Sequence, residues 1–110
     1  MRKATILMHD RFAGILSEMD NEYVFEYDEK YRLSIDSEPI SLTMPLSSTI
    51  YSSKTLFPFF DGLIPEGWLL DIATKNWKLN TRDRMGLLLT CCKDCIGAVT
   101  VEPLIEIENE

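Results

Sequence analysis

Apolar and polar residues alternate through the first quarter of the chain, and this pattern predicts β-strands. The alternation runs from Ala4 to Met8 and, after a His-Asp-Arg break, resumes in the segment FAGILSEM at 12–19. Because the side chains of a strand point alternately to its two faces, this spacing predicts an amino-terminal hairpin. A third strand is predicted over 23–27, with aromatic residues on one face and mostly acidic residues on the other.

A fourth alternating segment and a serine-rich stretch follow. Residues 40–46 are apolar at every second position, so they are predicted to form the fourth strand. Pro45 cannot donate a hydrogen bond to a sheet, which places this strand at an edge or near its own end. The stretch SSTIYSS at 47–53 is predicted to be a loop.

The second half of the chain changes to helical spacing. Residues 65–78 fit an amphipathic helix. Asn80 or Thr81 is predicted to cap a further helix, in which apolar residues from Met85 to Cys92 recur at i, i+3, i+4 and i+7. Asp83 is expected in the first turn of that helix, where the helix dipole favours a carboxylate.

The carboxyl-terminal segment IGAVTVEP at 96–103 predicts one more short strand. The order of strands, helices and strand indicates the α+β class. We expect a single domain over residues 1–103, with a mostly antiparallel sheet of about five strands and two or three helices packed on one side. Residues 104–110 are expected to form an acidic tail.

Length and charge restrict the possible functions. The chain has 110 residues with 45% hydrophobic composition, which is enough for one domain with its own core. Its net charge of −7 opposes broad contact with phosphate backbones, so no direct nucleic-acid partner is predicted. No apolar run approaches the roughly 18 residues of a membrane span, and the amino terminus lacks a secretory signal. A cytoplasmic protein without a membrane partner is expected.

Residues suited to catalysis or metal binding are few. His9 is the only histidine and lies in a predicted turn, so it is interpreted as a surface residue. Cys91, Cys92 and Cys95 lie too close together for a disulfide framework and offer too few ligands for a zinc site. The phosphate-binding glycine motifs of nucleotide enzymes do not occur in the sequence. We therefore predict a protein that is not an enzyme and holds no metal or cofactor.

The segment PFFDGLIPEGW at 58–68 is the most informative stretch of the chain. Glycines and prolines interrupt secondary structure while large apolar groups require burial, so the segment predicts a tightly specified turn that leads into a helix. On a helical projection of 65–78, Trp68 lies roughly 130° from the centre of the apolar sector. An exposed tryptophan just after a rigid turn is a candidate for protein contact.

The predicted partner-binding residues surround this indole. They are Trp68 itself, Glu66 and Gly67 from the turn, and Asp71 and Lys75 from the same side of the helix. Two interpretations of Trp68 remain open from periodicity alone. Either the side chain is exposed for a partner, or it is not, because the helix starts later or because the indole folds back over Phe59 and Phe60 and closes the core. Trp77, by contrast, lies in the apolar sector and is expected in the core.

Three stretches resemble the amino-terminal subdomain of HipA-type serine/threonine kinases. These are SLTMPLSS at 41–48, PFFDGLIPEG at 58–67 and KDCIGAVTV at 93–101, and the likeness covers nearly the whole chain. The resemblance implies the fold of that subdomain. The sequence ends at Glu110, before the catalytic portion of such kinases would begin, so no catalytic residue is implied.

A free-standing subdomain of this kind is similar to the small HipS antitoxins of three-gene HipBST systems. That likeness implies binding to a HipT-like serine/threonine kinase toxin, with a HipB-like DNA-binding protein as a further partner in a ternary complex. Docking would bring Trp68 toward the kinase active site and inhibit the toxin. The alternative is a non-catalytic subunit that activates or completes a split kinase. A redox or metal protein built on the three cysteines is a third hypothesis.

Overall fold

A computed structural model describes residues 2–64, 83–91 and 98–104 of the chain. The described strands are β1 (Lys3–Met8), β2 (Arg11–Glu18), β3 (Tyr23–Tyr27), β4 (Ile50–Ser53) and β5 (Val99–Leu104). The described helices are α1 (Glu29–Arg32), α2 (Pro58–Asp61) and α3 (Arg84–Cys91).

The five strands form one antiparallel sheet in the order β4-β3-β2-β1-β5. Strands β1 and β2 are joined by His9 and Asp10, whose φ angles are 51° and 67°. Two consecutive residues with positive φ match the right-handed twist of the strands they connect, so the hairpin is tight. Strand β5, from the carboxyl-terminal part of the chain, pairs antiparallel with β1. This pairing places Lys3 opposite Leu104.

The core lies on one face of this sheet, beneath the helices. In β1 and β3 the buried residues are every second one, namely Ala4, Ile6 and Met8 in β1 and Phe25 and Tyr27 in β3. Helices and loops supply the opposite wall of the core, through the buried side chains of Ile40, Met44, Phe57, Phe60, Ile64, Met85, Leu87 and Leu88. This arrangement confirms the predicted α+β class and its mostly antiparallel sheet of about five strands.

The prediction for the fourth strand is wrong. Residues 40–46 form no strand, and β4 instead lies at Ile50–Ser53, inside the stretch predicted to be a loop. Ile40 and Met44 are buried, whereas Leu42 between them is 96% exposed. The backbone of this segment forms hydrogen bonds with the hydroxyls of Tyr27 and Tyr51 and does not pair with a neighbouring strand.

The helix predicted after residue 80 is present, but it begins later than expected. Helix α3 starts at Arg84, and Oδ1 of Asp83 accepts a hydrogen bond from the Gly86 amide at 3.1 Å. This contact is that of a helix N-cap, so Asp83 precedes the first turn and takes the role predicted for Asn80 or Thr81. Those two residues and the predicted helix at 65–78 lie outside the described residues.

Candidate partner-binding site

The five predicted partner-binding residues, Glu66, Gly67, Trp68, Asp71 and Lys75, lie outside the described residues. Their roles stay predictions, as does the choice between the two interpretations of Trp68. The structure describes the first part of the informative turn, from Pro58 to Ile64. That part shows how the turn is attached to the domain.

Aromatic packing holds the beginning of the turn against the sheet. Phe60 in α2 is fully buried, and its ring centroid lies 5.7 Å from that of Phe25 in β3. Phe57 and Phe59 contact Phe60 at centroid distances of 6.1 and 5.2 Å, both edge to face. Such edge contacts stabilise an aromatic pair by about 0.5–1.5 kcal/mol beyond simple burial. Ile64 is also buried, so the chain is anchored up to two residues before Glu66, the first residue of the predicted site.

A salt bridge connects the turn to the following helix. Oδ1 of Asp61, at the end of α2, accepts a hydrogen bond of 2.7 Å from Nε of Arg84, the first residue of α3. Both side chains remain partly exposed, so the pair contributes less than a buried one would. Its structural effect is to fix the ends of α2 and α3 together on either side of the segment 65–82.

Arg2 connects the start of α3 to the sheet through two carboxylates. Its guanidinium donates to both oxygens of Glu18 at 2.7 and 2.8 Å, and to both oxygens of Asp83 at 2.9 and 2.7 Å. Hydrogen bonds from Arg2 hold the pKa of Glu18 and the pKa of Asp83 below their ordinary values. Two bidentate pairs on one guanidinium give a rigid three-residue junction, here called the Arg2 clamp.

Three tyrosine hydroxyls hold the irregular segment between α1 and β4. Tyr27 donates to the carbonyl of Met44 and accepts from the amide of Ile40 at 3.0 Å. Tyr31 donates to the carbonyl of Glu38 at 2.7 Å, and Tyr51 donates to that of Pro45. This segment contains the SLTMPLSS stretch of the resemblance, whose conformation is therefore set by side chains of β3, α1 and β4. No local sequence pattern predicts this role, because the hydroxyls reach across 6 to 17 residues.

Residues suited to metal binding do not converge in the described part of the chain. His9 lies in the β1–β2 turn with its side chain 61% exposed, which confirms the prediction of a surface histidine. Among residues 2–64, 83–91 and 98–104, no three His, Cys, Asp or Glu side chains are placed to share a metal ion. Cys92 and Cys95 lie outside these ranges. Within the same ranges, no helix is long and apolar enough to cross a membrane.

The architecture defines a small α+β domain in which one antiparallel sheet carries helices on a single face. A sequence profile of the HipA N-terminal domain matches residues 4–102. The chain therefore belongs to the HipA N-terminal domain family, which confirms the resemblance noted from its three motifs.

Two individual proteins show the same relationship. An uncharacterised protein of Haemophilus influenzae is 29% identical over 102 residues, which cover 93% of this chain and 92% of that protein. A solved structure of the N-terminal domain of HipA toxin superposes with a TM-score of 0.71 over 96% of this chain and 95% of that one. Its sequence identity of 24% is low, so this likeness shows the fold alone.

Proposed function

We propose that this protein is an antitoxin that binds a HipT-like serine/threonine kinase toxin and inhibits it. The observation that carries the proposal is the family match over residues 4–102, together with a sequence that contains no phosphate-binding motif. In this proposal the HipA N-terminal domain contributes a docking surface, and the phosphoryl-transfer chemistry belongs to the partner kinase. The chain is thus proposed to be a binding protein, active in the cytoplasm, with a HipB-like protein as a further partner.

The proposed mechanism places the turn at 58–68 against the kinase, beside its active site. Phe60, the Asp61–Arg84 salt bridge and the buried Ile64 support this mechanism, because they fix the direction in which the chain leaves α2. A preorganised segment loses less conformational entropy on binding than a mobile one. Trp68, which follows four residues later, would then block the substrate or a productive nucleotide pose.

The test compares Trp68→Ala with the wild-type chain in a phosphoryl-transfer assay. The purified HipT-like kinase is incubated with labelled ATP and increasing amounts of each protein, and phosphate incorporation is measured. We expect wild type to suppress the reaction and Trp68→Ala to suppress it at least about tenfold less well, as loss of a central aromatic contact implies. Leu42→Ala is the matched control, since it removes a fully exposed apolar side chain elsewhere.

Two results would contradict the proposal. Equal suppression by Trp68→Ala and wild type would remove the indole from the mechanism. An increase in phosphoryl transfer on addition of the wild-type chain would identify the protein as an activating subunit instead.

A further inference from the structure

The face of the sheet opposite the helices carries an apolar surface. In the register of the strands, the residues between the buried positions point to this side, and several of them are large and apolar. Phe12, Ile50 and Leu104 are 42%, 58% and 37% exposed. This surface, here called the outer face, comprises Leu7, Phe12, Ile15, Val24, Ile50 and Leu104 together with the polar residues of the same rows.

The charges of the outer face are predominantly negative. One cross-strand row runs Glu102, Thr5, Ile15, Glu26 and Ile50, so that Glu26 lies between Ile15 and Ile50 and Glu102 lies at the opposite end of the row. In the part of the chain that the structure describes, neither Glu26 nor Glu102 forms a salt bridge. The outer face also bears Lys3, in the next row toward the carboxyl end of β5.

A cleft of about 220 Å³ lies at one side of the outer face. The residues that line it include Phe12 and Ile15 together with Glu26, Asp28 and Glu29. An aromatic ring next to carboxylates suits a long cationic side chain, because the stem packs on apolar atoms while the charged end meets the acids.

We propose that the outer face is a second docking surface for the partner kinase and receives a segment in which apolar residues alternate with lysine or arginine. The inference rests on the proposed function. Complementary charge argues for this occupant, since an apolar segment with basic residues would satisfy Glu26 and Glu102 as it covers Phe12 and Ile50. A second copy of the chain is disfavoured, because it would bring the carboxylates of both copies into one interface.

The position of this surface gives it a distinct role. Phe60 packs on Phe25 from the helical side of the sheet, so the outer face and residues 58–64 of the turn lie on opposite sides of the domain. Contact with the outer face alone does not bring a partner into contact with the turn. The outer face therefore contributes affinity and rate of association, whereas inhibition depends on Trp68.

The experiment measures binding of full-length variants to the HipT-like kinase by calorimetry at low and high salt. For the double variant Glu26→Gln/Glu102→Gln, we expect the Kd to rise about tenfold at low salt and its salt dependence to decrease. For Phe12→Ala/Ile50→Ala, a similar rise that persists at high salt is expected. Inhibition at saturating concentration should remain complete for both. Urea unfolding establishes that each variant is folded before binding is compared.

Matched controls change the same chemistry away from the outer face. Asp20→Asn/Glu38→Gln removes two exposed carboxylates, and Leu33→Ala/Leu42→Ala removes two exposed apolar side chains of the segment after α1. The inference is overturned if outer-face variants and controls bind with the same Kd as wild type. It is also overturned if the chain alone forms a dimer that Phe12→Ala/Ile50→Ala dissociates. Failure of wild type to bind the kinase would instead refute the proposed function.

Discussion

Gly14 in β2 is a position where a single methyl group would disturb the sheet. A Cβ atom there would lie 2.4 Å from the carbonyl oxygen of Glu26 and 2.8 Å from Cζ of Phe25. Neither neighbour is free to move, because Glu26 contributes backbone of the adjacent strand and Phe25 is fully buried. The absence of a side chain at Gly14 therefore allows the Phe25 ring to pack directly on the backbone of β2.

We predict that Gly14→Ala lowers the free energy of unfolding by about 1–3 kcal/mol, the usual cost of overpacking. Gly62→Ala is the matched control, since its Cβ would meet the carbonyl oxygens of Pro58 and Phe59 at 3.3 and 3.5 Å and its φ of −69° suits alanine. The control should change stability by less than about 1 kcal/mol. Urea unfolding of both variants checks the prediction, and equal stability would contradict it.

Tyr27 combines burial with two hydrogen bonds to backbone. We predict that Tyr27→Phe destabilises the fold by about 1–3 kcal/mol, because the carbonyl of Met44 and the amide of Ile40 lose their partner in a buried site. Tyr51→Phe, which releases only the more exposed carbonyl of Pro45, should cost less.

The pH dependence gives the Tyr27 prediction a second readout. Burial raises the pKa of Tyr27 from its ordinary value of 10.0 to about 12. Since the unfolded chain ionises first, the stabilisation from this hydroxyl is complete below pH 10 and lost as the pH rises toward 12. The difference between wild type and Tyr27→Phe in urea unfolding should shrink across that interval. A difference that stays constant would show that the hydroxyl does not ionise differently in the folded state.

At the scale of elements, the Arg2 clamp joins β1, β2 and α3. Arg2→Met is expected to cost about 1 kcal/mol at neutral pH, a modest figure because these side chains are partly exposed and screened by solvent. The depressed carboxylate pKa values mean that this stabilisation is present above pH 4.5 and lost as the pH falls through the folded values.

The stability curves of wild type and Arg2→Met should therefore converge in acid. Urea unfolding at a series of pH values measures this convergence. Lys54→Met serves as the control, since it removes an exposed positive charge without a salt bridge in the described part of the chain. If Lys54→Met shows the same acid convergence, the effect would arise from net charge and not from the clamp.

The sequence could predict the strands that have one buried and one exposed face. Strands β1 to β3 are half buried, so their alternation of apolar and polar residues directly reflects the two faces of the sheet. Residues 40–46 alternate as well, but their apolar side chains are divided between core and solvent. The hydroxyl of Tyr27, 13 to 17 residues away, holds their backbone, and no local pattern reveals such a contact.

Strand β4 was not predicted, because it too lacks a clear local pattern. It is a four-residue edge strand, paired with β3 alone and rich in serine. An edge strand exposed on one side has little apolar pattern to display. Its pairing depends on the neighbouring strand, which already presents an unsatisfied edge.

The candidate site was predictable only in part. The turn at 58–64 could be inferred from its composition, and the structure confirms that its aromatic residues are packed. The ion pairs that hold the turn and the start of α3 in place could not be inferred. Asp61 and Arg84 are 23 residues apart, and Arg2 and Asp83 are 81 residues apart. Pairs of charged residues are too common in any sequence for such distant partners to be chosen without coordinates.

For the whole molecule, the net charge of −7 leads to a prediction about nucleic acid. We expect no measurable binding to duplex DNA at physiological salt, where non-specific binders reach a Kd of roughly 10⁻⁴–10⁻⁶ M. Fluorescence anisotropy of a labelled duplex is the measurement, with a basic DNA-binding protein as positive control. Saturable binding that weakens as salt is added would contradict the expectation.

The pairing of β5 with β1 has a consequence for how the domain is joined to other protein. Lys3 and Leu104 are directly opposite each other, so both termini of the described fold emerge at one corner of the sheet. A flexible linker added on either side would start from nearly the same point, and a second module could be attached at either end with similar reach. Fusion order is therefore a weak constraint on the geometry of any larger assembly that contains this domain.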